Sequence, residues 1–130
     1  MISTRGRYAL RVMIDLAKNG SGDFIPMKDV ADRQGISLKY LEQILPVLSK
    51  NGLVEAVHGK GGGYKLAKDP SDIKVGEVLR LTEKELAPVA CLAEGSAACE
   101  RMPKCATISF WKEYNEVVNK FLDSKTLADF

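Results

Sequence analysis

Cys91, Cys99 and Cys105 are the chain's only cysteines, and they have the widest chemical reach of any of its residues. Seven and five residues separate them. Three thiols cannot all pair within one chain, and a reducing compartment disfavours structural disulfides. Confinement to one short segment points instead to metal, cluster or redox chemistry. The spacing is not the C-x-x-C pairing of zinc knuckles, and zinc wants four ligands. Thiol redox catalysis needs a resolving cysteine and a nearby base, and the sole histidine, His58, lies far from the triad in sequence. No enzyme is expected. Two readings stay open at this level. One is three free thiols in a surface loop, and the other is an iron–sulfur cluster, which normally takes four protein ligands.

A second chemical signal is the tip His58-Gly59-Lys60-Gly61-Gly62. It lies between two strand-like runs, Leu53–Val57 and Gly63–Leu66. Glycines let backbone come close to phosphates, and a lysine releases counterions on binding DNA. A nucleotide-phosphate loop would need the P-loop spacing, a Lys-Ser/Thr ending and a helix directly after it, and all are missing.

The elements that must position these groups are mostly helical. Ser3 or Thr4 caps a first helix, whose stripe Ala9, Val12, Met13, Leu16 and Ala17 is amphipathic. Asn19-Gly20 ends it. Pro26 opens a short helix through Val30 and Ala31, stopped by Gly35. Ser37 caps the next, with Leu41, Ile44, Leu45 and Leu48 as its apolar face and Pro46 expected to kink or loosen its last turns. Two short helices joined by a tight glycine turn make a helix-turn-helix or a plain packing hairpin. A basic hairpin directly after them favours a winged helix. A short helix follows around Val75–Leu81, then a loop from Leu86 to Met102. The last helix starts near Ala106 and carries Ile108, Trp111, Tyr114, Val118, Phe121 and Leu122, widened by Phe110 and Val117. Docking on the first helix accounts for part of that apolar surface, and a helix–helix dimer interface for the rest.

The bulk numbers agree. The 130 residues suit one compact unit, with 45% apolar and 28% charged residues. No run of about 18 apolar residues suggests a membrane span, and the arginine-bearing start lacks a signal-peptide core. A cytoplasmic location is expected. Residues 1–70 are net basic and residues 71–130 mildly acidic. An anionic partner is therefore expected at the front. The fold expected is mostly α with a small β-hairpin wing: a winged helix-turn-helix over 1–81, a cysteine-bearing loop over 82–105 and a C-terminal dimerisation helix over 106–130.

A recognition helix offers its N-terminal residues to the major groove. Here these are Ser37, Leu38, Lys39, Tyr40, Glu42 and Gln43. Gln43 suits adenine and Glu42 a cytosine amino group, whereas Lys39 and Tyr40 suit phosphate or groove-edge contacts. Arg5, Lys28, His58, Lys60, Gly61 and Gly62 complete the candidate DNA-binding set.

The runs Arg5-Gly6-Arg7-Tyr8-Ala9, Gln34-Gly35-Ile36-Ser37-Leu38-Lys39-Tyr40-Leu41-Glu42-Gln43, Lys50-Asn51-Gly52-Leu53-Val54, Gly61-Gly62-Gly63-Tyr64 and Val75-Gly76-Glu77-Val78 form one set with the three cysteines. Together they resemble the winged-helix regulator family of IscR, NsrR and CymR, the IscR type most of all. The resemblance spans essentially the whole chain. It implies a homodimer on near-palindromic double-stranded DNA, with crossed C-terminal helices. It also implies an iron–sulfur cluster held by Cys91, Cys99 and Cys105, 2Fe–2S in preference to 4Fe–4S. Iron–sulfur status, oxidants or nitric oxide would then control operator binding. The alternative within the family is a cluster-free regulator that senses through its thiols or a protein partner. Two departures stand out. The family's wing often has an arginine where this chain has His58, which carries only part of a charge near pH 7. The histidine that IscR-like members place three residues after the last cysteine is here Ile108. NsrR-like members use an acidic residue from the first helix of the second subunit, and Arg7-Tyr8-Ala9 offers none. Glu94, Ser96, Glu100, Ser109 or a bound small thiol remain as a fourth ligand.

Overall fold

A computed structural model describes all residues, 1–130. Helix α1 spans Thr4–Asn19, α2 Met27–Gln34 and α3 Leu38–Lys50. Strands β1 (Val54–Val57) and β2 (Gly63–Leu66) form an antiparallel hairpin. Helices α4 (Val75–Thr82) and α5 (Ile108–Ser124) follow.

Local chemistry explains the boundaries. The Ser3 hydroxyl accepts from the Gly6 amide at 3.0 Å and starts α1. Gly35 ends α2 with φ 63°, the left-handed conformation that glycine takes without a Cβ penalty. Two residues later the Ser37 hydroxyl accepts from the Tyr40 amide at 3.1 Å and opens α3. Pro46 does not break α3, which runs on to Lys50. The proline removes only its own amide bond, and the buried face on both sides of it holds the helix together.

One core joins these pieces. Val12, Met13 and Leu16 of α1 meet Val30 of α2, with Leu41, Ile44, Leu45 and Leu48 of α3. Leu53, Val54, Ile73 and Val78 close it. The wing is wider than a hairpin: Ile25 exchanges both backbone hydrogen bonds with Tyr64, at 2.8 and 2.9 Å. Its first strand begins at Val54, one residue later than expected, although the Leu53 carbonyl still accepts from the Ala67 amide at 3.0 Å.

Two expectations about the C-terminal helix are corrected. Helix α5 lies chiefly against α4, not α1. Arg80 of α4 grips Asp123 through two bonds of 2.6 and 3.0 Å and Asn119 through one of 2.8 Å. The helix also stops at Ser124, and residues 125–129 return to the body. There the Val75 amide donates to Lys125 and the Leu127 amide to Ile73, and the Leu127 side chain is buried in the core.

Helices α1 and α2 share one buried charge. The Asp15 carboxylate accepts from Arg33 at 2.8 and 3.1 Å and from Gln34 at 2.8 Å. Burial pushes the Asp15 carboxyl up. Hydrogen bonds from Arg33 and Gln34, with the Arg33 charge, outweigh that and hold it below the usual carboxylate range. A depressed carboxyl contributes stability above its unfolded pKa of about 4, lost as pH falls through the lower folded value. Arg33→Ala strands a buried carboxylate. It should cost about 2 kcal/mol, below the figure for fully buried pairs because Gln34 still donates and the Arg33 side chain is 39% exposed. Urea midpoints at pH 7 read the loss, and a wild-type midpoint in Arg33→Ala would rule it out.

Candidate nucleic-acid interface and cysteine loop

Helix α3 buries one face and leaves the other to solvent. Lys39, Glu42, Gln43 and Pro46 follow at i, i+3, i+4 and i+7, and all are exposed. Tyr40 stands apart from them. It is half-buried, its ring edge-on to Tyr8 of α1 at 5.3 Å. Arg11 sits over the other partner, 5.3 Å from the Tyr8 ring centre, and its Nε donates to the Gln34 side chain at 3.2 Å. Tyr8 thus sets the Tyr40 ring, a role invisible to periodicity because the two belong to different helices. Ser37 is exposed, but its hydroxyl oxygen already accepts the Tyr40 amide as the helix cap. Arg5 and Lys28 are exposed, on α1 and α2.

His58 and Lys60 are exposed at the wing tip. The glycines there serve the wing's own backbone. Gly61 has φ 78°, and a Cβ on Gly62 would run into the Val57 carbonyl. A Cβ on Gly63 would strike the Ile25 carbonyl that the wing pairs with. The tip is therefore bare and thin before any partner arrives.

The cysteine loop leaves α4 at Glu83 and enters α5 at Ile108. Cys91 and Cys105 are half-buried, Cys99 is exposed, and all three are free thiols. The Ser96 hydroxyl donates to the Cys91 carbonyl at 3.3 Å, and the Met102 amide donates to the Cys99 carbonyl at 3.0 Å. Cys105 Sγ lies 3.5 Å from Thr107 Oγ1. That hydroxyl, the backbone amides of Thr107 and Ile108 and the Arg101 charge hold the Cys105 thiol below its ordinary value, against a smaller opposing effect of burial. No three of the chain's Cys, His, Asp and Glu side chains converge at metal-binding distance. The donor chemistry fits an iron–sulfur cluster on three sides, since soft thiolates match such centres. The loop has to close to gather them.

Between α4, α5 and this loop lies an open cleft of about 460 Å³, lined by Arg80, Glu83, Leu92, Glu94 and Asn119 among others. Glu83 was not among the residues singled out from sequence. Its Oε1 accepts from both the amide and the hydroxyl of Ser3, each at 2.9 Å. Its partner is 80 residues away, and no local pattern could announce it.

A small helical head that presents the outer edge of its second turn-helix helix beside a glycine-thin wing is a winged-helix transcriptional regulator. The chain belongs to the Rrf2 family: a family model described as iron-dependent transcriptional regulator matches residues 2–130. The HTH-type transcriptional regulator IscR of Klebsiella pneumoniae is 41% identical over 128 residues, covering 98% of this chain and 77% of that relative. The solved structure of T. potens IscR is 39% identical with a TM-score of 0.78, covering 99% of this chain and 84% of that one. The global cysteine regulator CymR of B. subtilis matches at 36% identity and a TM-score of 0.79, covering 99% and 94%. The protein is a DNA-binding transcriptional regulator, not an enzyme. No helix is long and apolar enough to cross a membrane.

Proposed function

We propose that this regulator reads a near-palindromic operator as a homodimer, and that an iron–sulfur cluster on Cys91, Cys99 and Cys105 controls that reading. The observation that carries the proposal is the pairing of two features in one chain. One is the exposed polar edge of α3. The other is a loop of three accessible thiols that joins the head to α5. Residues 1–81 act as the reading head, 82–105 as the sensing loop and 106–130 as the dimerising segment. Gln43 and Glu42 read bases, Lys39 and Tyr40 hold the groove edge, and Arg5, Lys28, His58 and Lys60 contact phosphate or the minor groove. Ser37 contributes through the cap of α3, and Gly61 and Gly62 through the bare tip. When bound, the cluster supplies a redox-sensitive, iron-dependent crosslink among the three thiols, 2Fe–2S in preference to 4Fe–4S. The names of the IscR relatives and the iron-dependent description of the family support this reading. A thiol- or partner-sensing regulator without a cluster is the second reading, favoured by three free thiols that do not converge on one metal-binding point.

The test is operator affinity of iron-loaded against metal-stripped protein, both kept anaerobic. The two should differ by about 5- to 150-fold, the usual range of allosteric coupling. Gln43→Ala should cost about 1–3 kcal/mol on the best site and relax base preference. Lys60→Ala should weaken all sequences alike and flatten the salt dependence. Equal affinity of the loaded and stripped forms would dismiss cluster control.

A further inference from the structure

We infer that Glu83 is a positioning residue that couples the cysteine loop to the DNA-reading helix. This rests on the reading that the loop is the sensor. Glu83 ends α4, its amide donating to the Leu79 carbonyl at 2.8 Å, and the next residue enters the loop. Its side chain reaches the cap of α1. Ser3 uses its amide and its hydroxyl proton on Glu83 Oε1, each at 2.9 Å, while its hydroxyl oxygen receives the Gly6 amide at 3.0 Å. The fit is close on both sides, because a Cβ at Gly6 would collide with the Glu83 carboxylate. The other side of Glu83 faces the cleft that Leu92 and Glu94 of the loop also line. Along α1, about one and a half turns past Ser3, Tyr8 sets the ring of Tyr40 in α3. The chain itself joins the loop to Glu83, and side-chain contacts then run from Glu83 to Ser3 and, through α1, from Tyr8 to Tyr40.

A strut of this kind transmits only if both ends move together. When the loop closes on a ligand or relaxes, the end of α4 shifts, Glu83 carries the first turn of α1 with it, and Tyr8 re-seats Tyr40. Arg5 and Arg7 ride on the same turn and are exposed. A contiguous path is not in itself coupling, so the coupling has to be read directly.

The experiment uses the full chain in three loop states: iron-loaded, metal-stripped, and metal-stripped with its thiols blocked by maleimide. Hydrogen exchange of the Gly6–Tyr8 amides and operator affinity are measured in wild type, Glu83→Ala, Glu83→Gln and Gly6→Ala. In wild type the exchange of those amides should change severalfold with the state of the loop. In Glu83→Ala the change should vanish and the affinity ratio between loaded and stripped protein should fall to within about twofold of unity, with iron content intact. Gly6→Ala, which ejects the carboxylate, should copy that behaviour. Glu83→Gln keeps an oxygen that accepts both Ser3 bonds and should retain the response. A merely structural role would lower Tm equally in every loop state and leave the ratio alone. Wild-type α1 amides indifferent to all three states, or a full response in Glu83→Ala, overturn the proposal. Amides that respond to maleimide while loaded and stripped protein bind operator equally would instead sink cluster control and keep the strut.

Discussion

Phe110→Asp combined with Phe121→Asp should convert the protein to a monomer in sedimentation and lower operator affinity by on the order of 10²-fold, the scale set by losing the second linked half-site. Phe110, Tyr114, Val117 and Phe121 are 58%, 49%, 60% and 59% exposed. They follow at i, i+4, i+7 and i+11 and so form one outward stripe along α5. The adjoining stripe, Trp111, Asn115, Val118, Asn119 and Leu122, is half-buried, and Arg80 and Asp123 fasten the helix to α4. Each large apolar side chain taken from water contributes about 1.5–3 kcal/mol. The same stripe on a twofold-related copy would meet this one in an isologous contact. Trp111 itself belongs to the platform beneath this surface. Its ring packs edge-on against Phe110 at 4.9 Å and Tyr114 at 6.0 Å. Changing Trp111 would therefore mix loss of dimer with loss of fold, and the exposed pair is the cleaner choice. Far-UV circular dichroism and Tm show whether the monomer is folded. Val117→Asp alone should weaken the dimer without touching the core. A stable dimer that survives the double change would place the interface elsewhere.

What the sequence made legible was local. Ser3, Gly35 and Ser37 announce helix ends, because caps and left-handed turns are written in the residues that make them. The 3.6-residue spacing of Leu41, Ile44, Leu45 and Leu48 identifies the buried face of α3, and so its exposed edge by subtraction. Contacts between distant segments left no such mark. Asp15 and Arg33, Arg80 and Asp123, and Glu83 and Ser3 are ordinary surface-type residues whose partners lie on other elements. Nothing in the spacing shows that Ile25 pairs with Tyr64, or that Leu127 folds back into the core. The apolar excess of α5 was plain. Which half of it faces α4 depended on Arg80, a residue outside the helix. The wing glycines suggest close approach of a phosphate, whereas at Gly62 and Gly63 the nearer demand is that of the Val57 and Ile25 carbonyls.

Each of Cys91→Ala, Cys99→Ala and Cys105→Ala should abolish the cluster in aerobic preparations, leaving protein without visible absorbance and with iron near zero, against about two irons per cluster for a 2Fe–2S centre. The reason is the count of soft donors. The chain has three thiols and no fourth, and losing any one leaves two, too few to hold a centre that normally takes four protein ligands. The fourth corner falls to an oxygen or a small external thiol. Glu94 and Glu100 are exposed in the same loop, whereas the Ser96 hydroxyl is engaged with the Cys91 carbonyl. Oxygen is a hard donor and a weak partner for such iron. That corner should exchange readily, and added thiols should shift the spectrum of the wild-type protein. His58→Ala should leave colour and iron unchanged, because His58 stands at the wing tip after β1. The three thiols do not converge as a group of three at metal-binding distance. Cluster loading should therefore order the loop, and protease cleavage between Glu94 and Arg101 should slow when iron is bound. Should protein purified without air from iron-replete cells be colourless and iron-free, the cluster falls and thiol or partner sensing takes its place. If His58→Ala alone discharged the iron, the wing and the cysteine loop would have to meet in the assembled protein.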